Sequence, residues 1–416
     1  MSVSRRSFLT HGTVLGCSLA ASPLLTPVSF AAAPWDTRLV VIVLRGGMDG
    51  LDVLRPYGDP GFAGLRPTLG SGPGLGGPNG GEGLDLDGFY ALHPALAPLM
   101  PLWERQELGF VQAVSTPYRD RRSHFDGQDI LEAGTRTLGE RRDGWLNRLL
   151  QQQSGVEART AFALGQGDLQ LLRGVAPVSD WSPDADLLLS PQAEDLAKLL
   201  MQEDPLFKAA LSEALSLSRE DAQDPAIVET SGGTSSEMMS TGMEIPKARR
   251  GKAHLKLAEF AARQLRGETR IASFSLNGWD THTRQKKALG AALTRLGDSI
   301  LALKQGLGVD VWDKTAIVAV TEFGRTARQN GTGGTDHGTG GAMILAGGAI
   351  RGGRVFGQWP GLAEADLYNR RDLMPTGDLR ATLAWIMQGM TGVSRTVLEQ
   401  QVFPGVQMAA DPGYLR

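Results

Sequence analysis

Two short segments, Arg38–Leu44 (RLVVIVL) and Thr315–Val320 (TAIVAV), are almost wholly aliphatic and rich in β-branched residues. A strand with one wet face alternates apolar and polar side chains, so unbroken runs this short predict strands covered on both faces. Leu108–Val114, Arg270–Leu276 and Gly341–Ala346 read the same way. Helical spacing separates them, over His93–Glu107, Ser123–Ala133, Ala193–Leu217, Ala253–Gln264, Gln285–Leu307 and Leu379–Met390. Ser123 supplies an N-cap and Gly134 a stop for the second of these. Strands alternating with helices predict an α/β fold with a mainly parallel sheet. Residues 58–83 are rich in Gly and Pro and read as an irregular insertion, and 218–245 are polar and poor in aromatics, as a loop or lid would be. No repeat or composition break divides the chain. The expectation is a single domain over 34–416 with insertions near 58–88 and 218–252.

The first 33 residues read as an address. Ser4-Arg5-Arg6-Ser7-Phe8-Leu9-Thr10 has the form of a twin-arginine export signal, and Ala31-Ala32-Ala33 before Pro34 offers small residues for cleavage after Ala33. Lipidation at Cys17, within Val14-Leu15-Gly16-Cys17, is the rival. Leu15 is bulky for that purpose, and the alanine site downstream is better. Cys17 is the sole cysteine, so cleavage leaves a chain without thiols, suited to an oxidising periplasmic or extracellular compartment. Beyond that segment no apolar run is long enough to span a bilayer. With 42 basic against 45 acidic residues, the chain carries no electrostatic footprint for nucleic acid.

Chemistry-bearing residues gather at strand ends. Asp49, Asp280 with His282, and Glu322 with Arg325 each follow the carboxyl end of a predicted strand, and Asp336-His337 immediately precedes another. In open α/β sheets such ends face one crevice, where carboxylates and imidazoles can hold a divalent metal. Imidazole suits zinc, manganese or iron; carboxylates also suit magnesium and calcium. Each residue has a plainer role open to it. Asp49 can cap a turn, Asp280 can orient His282, and Glu322 and Arg325 can form a local ion pair. His337 lies among glycines, where core packing does not explain it. His93 and His254 read as structural, and His11 leaves with the signal. Ser123 opens a helix beside Arg119, Arg121 and Arg122, which suits either a nucleophile near an oxyanion or a plain cap. His124 and Phe125 follow it, and Phe125, Ile130 and Leu131 are expected to face the sheet.

The segments RGGMDGLD, RSHFDGQDILEAG, GWDTH, TEFGRTARQNGTGGTDHG and GGAIRGG resemble an uncharacterised family of twin-arginine-exported bacterial proteins, placed in the alkaline phosphatase and sulfatase superfamily. The resemblance runs from about Arg38 to near the C-terminus. It implies an alkaline-phosphatase-like fold, metal ligands at Asp49, Asp280, His282, Glu322 and His337, and Ser123 as nucleophile. Phe323 stands where the superfamily places His or Asn, which costs a ligand that His124 or Asp336 is available to restore. Arg45, Arg122 or Arg325 would clamp the remaining oxyanion. Ser115 is a rival nucleophile, because Ser115-Thr116-Pro117-Tyr118-Arg119 fits the pattern that sulfatases modify to formylglycine. The implied function is an exported metal-dependent hydrolase of phosphate or sulfate esters, on small-molecule, glycan or lipid substrates. The rival is a non-catalytic exported accessory protein that binds a glycan, lipid or protein on the same fold, which Phe323 favours.

Overall fold

A computed structural model describes residues 35–69, 83–119, 122–165, 169–183 and 252–416. The export segment with Cys17, the helix expected over Ala193–Leu217 and the polar stretch 218–245 lie outside these residues. Among the described residues no helix is long and apolar enough to cross a membrane.

Among the described residues, the aliphatic runs form the centre of a nine-stranded sheet. Its strands are β1 (Arg38–Arg45), β2 (Leu108–Ser115), β3 (Ala161–Leu164), β4 (Ser179–Trp181), β5 (Ile271–Asn277), β6 (Thr315–Val320), β7 (Gly341–Ala346), β8 (Val355–Phe356) and β9 (Gly377–Asp378). They lie in the order β8-β2-β7-β6-β1-β5-β3-β4, with β9 pairing β2. β1 pairs in parallel with both β5 and β6, as expected. β7 differs: it runs antiparallel to both β2 and β6.

Alternation along β1 sends Val40, Ile42 and Leu44 to one face and Leu39, Val41 and Val43 to the other, and all are buried. The first face packs on Leu257 and Phe260 of α3 (Ala253–Leu265) and on Leu293 and Leu296 of α4 (Gln285–Trp312). The second face packs on Trp145 and Leu149 of α2 (Trp145–Leu150) and on Leu383 and Met387 of α5 (Leu379–Thr391). Both faces are therefore covered by helices, the condition that the unbroken aliphatic runs require. The described fold is α/β.

Local signals explain where elements begin and stop. α1 (His124–Ala133) is capped by Ser123 Oγ, which accepts from the Asp126 N–H at 3.3 Å, and it ends at Gly134 with φ 64°. Phe125 does not face the sheet. At about 100° per residue it sits roughly 140° around the helix from Ile130, and it is 83% exposed while Ile130 and Leu131 are buried. The helix expected over His93–Glu107 is instead a 3₁₀ turn, Pro94–Leu99, followed by a short α-helix, Met100–Glu104. Pro98 and Pro101 explain the break, since proline lacks the N–H an α-helix interior needs. The stretch read as an irregular insertion also holds order. Phe62–Leu65 is helical, and Leu84–Asp85 joins a small antiparallel sheet with Leu54–Arg55 and Ala91–Leu92.

Ile42 is buried at the middle of the central strand. Ile42→Ala should cost about 2–5 kcal/mol, read as a lower midpoint in chemical denaturation at unchanged slope.

Candidate metal centre

The carboxyl end of β1 turns sharply at Gly46, whose φ is 125° and where a Cβ would meet the Asp280 backbone nitrogen at 2.5 Å. Only glycine fits this approach. It brings the loops after β1, β5 and β6 into contact. Arg325, fully buried, fastens them: its Nε donates to Gly47 O at 2.7 Å and Nη1 to Thr335 O at 3.0 Å. Its Nη2 donates to Gly46 O at 2.6 Å, Trp279 O at 3.1 Å and Asp280 Oδ1 at 2.6 Å. These bonds engage every nitrogen of the guanidinium, so Arg325 does not clamp a substrate oxyanion as the sequence suggested. It holds the site together.

Because β7 runs antiparallel, the loop before it opens at the same edge as the loops after β1, β5 and β6. His337 thereby meets His282 and Asp280, and α1 supplies His124. Ligand atoms of His124, Asp280 and His337 all lie within 4.8 Å of one another. His282 Nε2 is 3.0 Å from His337 Nε2 and 3.1 Å from Asp280 Oδ1. His337 Nε2 and His124 Nε2 are each 3.4 Å from an Asp280 oxygen.

The other nitrogen of each ring fixes its tautomer. His124 Nδ1 lies 2.8 Å from Glu322 Oε1, His282 Nδ1 lies 3.0 Å from Asp336 Oδ1, and His337 Nδ1 lies 2.8 Å from Arg122 O. Carboxylates and carbonyls only accept, so all three Nδ1 atoms carry hydrogen, and a ring without a second proton offers Nε2 as its lone pair. The lone pairs of His124 and His337 meet beside the Asp280 carboxylate, with His282 Nε2 next to His337, an arrangement suited to a cation. The buried His124 Nε2 has no hydrogen-bond partner among the described residues, which fits a metal-facing atom. This is the outer-shell pattern of metal-binding histidines.

Electrostatics follow from these contacts. Burial opposes the charge on Asp280, but the Arg325 hydrogen bond and charge outweigh it and hold the carboxyl below its ordinary value. Glu322 is likewise opposed by burial yet held low by His124, Gln128 and the Gly46 N–H. Asp336 is held low in the same sense by His282 and Asn330. The Glu322 hydrogen bond raises His124, whereas burial lowers His337.

Several sequence-derived roles change. Glu322 and Asp336 orient His124 and His282 and do not join the ring of converging Nε2 atoms. Asp49 has different partners: Arg66 grips it with Nη1 to Oδ2 at 2.6 Å and Nη2 to Oδ1 at 3.0 Å. Gln285 Nε2 donates to the same Oδ2 at 2.6 Å, and the carboxylate is 1% exposed. Arg45 bonds Gln128 and Glu132 rather than facing an open oxyanion position. Ser115 ends β2 with Oγ donating to Thr116 O, so no helix starts there. Ser123 lies at the helix start, between Arg122, whose carbonyl holds His337, and the inward-facing His124. Phe323 is buried and stacks 5.1 Å from the His124 ring and 5.0 Å from His337, forming a wall of the centre. Of the histidines read as structural, His93 caps the turn after it, with Nδ1 accepting from the Ala95 N–H. His254 lies 3.6 Å from Asp298.

Sequence reasoning missed the supports. Gln285 Oε1 accepts from Thr281 Oγ1 at 3.0 Å and from Thr335 Oγ1 at 2.7 Å. The available signal was repetition: Asp280-Thr281-His282 and Thr335-Asp336-His337 each pair an Asp and a His with a threonine.

Fold and site together define an α/β protein with a candidate metal centre at the carboxyl edge of its sheet. The chain belongs to the family described as "Protein of unknown function (DUF1501)", whose sequence profile matches residues 102–393. That stretch contains His124, Asp280, His282 and His337, whereas Asp49 precedes it. No curated protein matches the chain. Among solved structures it is similar to the lipoteichoic acid synthase LtaP from Listeria monocytogenes, at 8% identity over 91% of this chain and 78% of that chain, with a TM-score of 0.38. It is also similar to Ps i-CgsB in complex with k-i-k-neocarrahexaose, at 10% identity over 86% and 72% of the two chains, with a TM-score of 0.34. Similarity at that level transmits neither substrate nor mechanism.

In metal-free protein, NMR titration should find His124 above the ordinary histidine value of 6.5 and His337 below it. Glu322→Gln should bring His124 down. A histidine raised by folding stabilises the protein below its unfolded pKa, and that contribution is lost as pH rises through the folded pKa. The His124–Glu322 pair should therefore contribute most to metal-free stability below about pH 6.5, until Glu322 itself protonates in acid.

Proposed function

We propose that this chain is an exported, metal-dependent hydrolase of phosphate or sulfate esters, built on an alkaline-phosphatase-like fold. The observation that carries the reading is the meeting of the His124 and His337 imidazoles beside the anionic Asp280, with His282 against His337 and Asp280. His124, His337 and Asp280 would hold one divalent ion, with His282 beside them as a further donor. A set rich in imidazole nitrogen favours zinc, manganese or iron over magnesium or calcium. Such an ion supplies Lewis acidity, drawing charge from the ester oxygens. Asp49 and Glu322 are engaged elsewhere, so the reading is a one-metal centre and not the two-metal centre that the superfamily resemblance implies.

The chain's own residues supply the rest. Arg325 holds Asp280 ionised, and Glu322, Asp336 and the Arg122 carbonyl accept the Nδ1 hydrogen bonds and so align the three rings. Phe323 walls the centre, and that role removes its support for a non-catalytic accessory protein. Ser123 is the attacking hydroxyl. Its oxygen accepts only the Asp126 N–H among the described residues, and it sits at the positive end of α1, where a developing alkoxide is stabilised. Oγ bonds to phosphorus or sulfur as the ester oxygen leaves, the hydroxyl proton passing to the leaving oxygen. Water then cleaves the Oγ ester. Arg122, exposed beside Ser123, is the guanidinium available to the remaining oxyanion.

Metal analysis of the purified protein with a panel of phosphate and sulfate esters tests this. Asp280→Ala with His282→Ala should abolish both metal and turnover in a chain that still folds; stoichiometric metal in that variant overturns the assignment. Ser123→Ala should keep the metal, lose about 1 kcal/mol of stability with its cap, and lower kcat by about three orders of magnitude or more. Ser115→Ala should be mild, and formylglycine at 115 by mass spectrometry would reverse the two roles.

Export by the twin-arginine machinery belongs to the same reading, supported by Arg5-Arg6 and Ala31-Ala32-Ala33. Arg5→Lys with Arg6→Lys should leave the precursor in the cytoplasm, followed by cell fractionation. Normal accumulation outside it would remove the localisation.

A further inference from the structure

Asp336 has two neighbourhoods. Its Oδ1 accepts from His282 in the centre, and its residue also lines a cleft of about 560 Å³ bounded by Arg328, Arg370 and Arg371. Arg371 joins the two directly, with Nη1 donating to His337 O at 3.0 Å and to Asp372 Oδ1 at 2.8 Å. Arg328 is exposed and paired with no carboxylate among the described residues. Arg370 faces Glu364 only at 3.8 Å, with both side chains largely exposed, a pairing that a stronger anion readily displaces. The acidic residues of the lining are thus Asp336, already bonded to His282 and Asn330, and Glu364.

The backbone that presents these arginines is strained. Tyr368 and Asp372 exchange backbone hydrogen bonds at 2.9 and 3.0 Å around a tight turn, with Asn369 at φ 51° and Arg370 at φ 54°. Two successive left-handed residues make the mirror-image turn that favours Asn-Gly. Asn369 suits its place, but Arg370 stands where glycine would relax the turn. Strain of this kind is retained where it positions a side chain for use.

We propose that this cleft is a substrate subsite for a second oxyanion, a sulfate or phosphate group that the substrate carries apart from the one cleaved at the centre. The inference rests on the hydrolase reading and names its substrate class: esters bearing more than one anionic group. Arg328 and Arg370 grip the second group, and Arg371, tied to the His337 carbonyl, sets its distance from the centre.

Calorimetry on the full, metal-loaded chain tests it with three dextran oligomers of one length, uncharged, sulfated and phosphorylated. A charged oligomer should bind and the uncharged one should not, and the tighter of the two charged oligomers identifies the group preferred. Arg328→Gln with Arg370→Gln should weaken that binding by about tenfold or more at unchanged metal content. Arg370→Gly should raise Tm by relaxing the turn and still weaken binding, which a purely structural arginine would not do. Equal affinity in the double variant, or equal binding of the uncharged oligomer, overturns the subsite and leaves the metal centre standing. Failure of the hydrolase reading shows separately, as protein with no metal whose arginine-dependent binding persists, and it removes the subsite's substrate role as well.

Discussion

A single buried amide, Gln285, stands between the acids behind the site and the loops that form it. Its oxygen takes the hydroxyls of Thr281 and Thr335, and its nitrogen donates to Asp49 at 2.6 Å and Asp52 at 2.9 Å. Thr281 lies between Asp280 and His282, and Thr335 immediately precedes Asp336 and His337. One side chain thus sets the separation of two ligand-bearing loops. The arrangement needs Asp49 ionised in a place that disfavours charge. Burial pushes its carboxyl up, and Arg66, with the Gln285 hydrogen bond, outweighs this and holds it low. Buried ion pairs tolerate such a place only when the remaining hydrogen bonds are made. Here they are, because Arg66 also donates to Ala327 O and Thr326 O on the strand segment bridged to the His337 loop.

The direction of β7 is the second constraint. In a wholly parallel sheet, the loop before a strand opens at the amino edge, a sheet's length from the loops that follow β1, β5 and β6. Running β7 antiparallel places Asp336-His337 at the carboxyl edge instead. Gly340 and Gly324 make the close passage possible, since a Cβ on Gly324 would overlap Gly340 O at 1.9 Å. Topology therefore supplies the histidine, and Gln285 and Arg325 then fix its distance.

What the sequence made legible is what local physics determines. Aliphatic runs marked β1 and β6 because burial on two faces leaves no place for polar residues. Ser123 and Gly134 marked the ends of α1 because caps are local chemistry. Strand ends pointed to Asp280 and His282 because chain connectivity brings them to one edge, whereas His337 precedes its strand and reaches that edge only because β7 runs antiparallel. Other features depend on partners distant in sequence. Asp49 pairs with Gln285 across 236 positions, and Arg66 came from a stretch that composition alone marked as irregular. An acid at a strand end looks the same whether it faces a metal or an arginine, so Asp49 and Glu322 could not be sorted by position. Phe323 read as a missing ligand because superfamily pattern, unlike the structure, does not show a ring stacked on His124 and packed at a tilt against His337.

The sorting rests in the end on hydrogen-bond polarity. Glu322 and Asp336 accept from Nδ1 atoms, which leaves His124 and His282 only Nε2 to offer. The Arg122 carbonyl does the same for His337. With protons confined to the outer nitrogens, the inner ones are acceptors facing acceptors, His282 and His337 at 3.0 Å. Such a contact is repulsive between neutral rings and is relieved by a cation, either a proton or a metal. Glu322, rather than that contact, raises the affinity of His124 for a proton. In the proposed centre a metal would compete with protons for these lone pairs and would gain as pH rises. The buried framework of Arg325 and Gln285 keeps the lone pairs from separating to relieve the repulsion alone. For the proposed centre, that framework would preorganise the ligand loops for a cation.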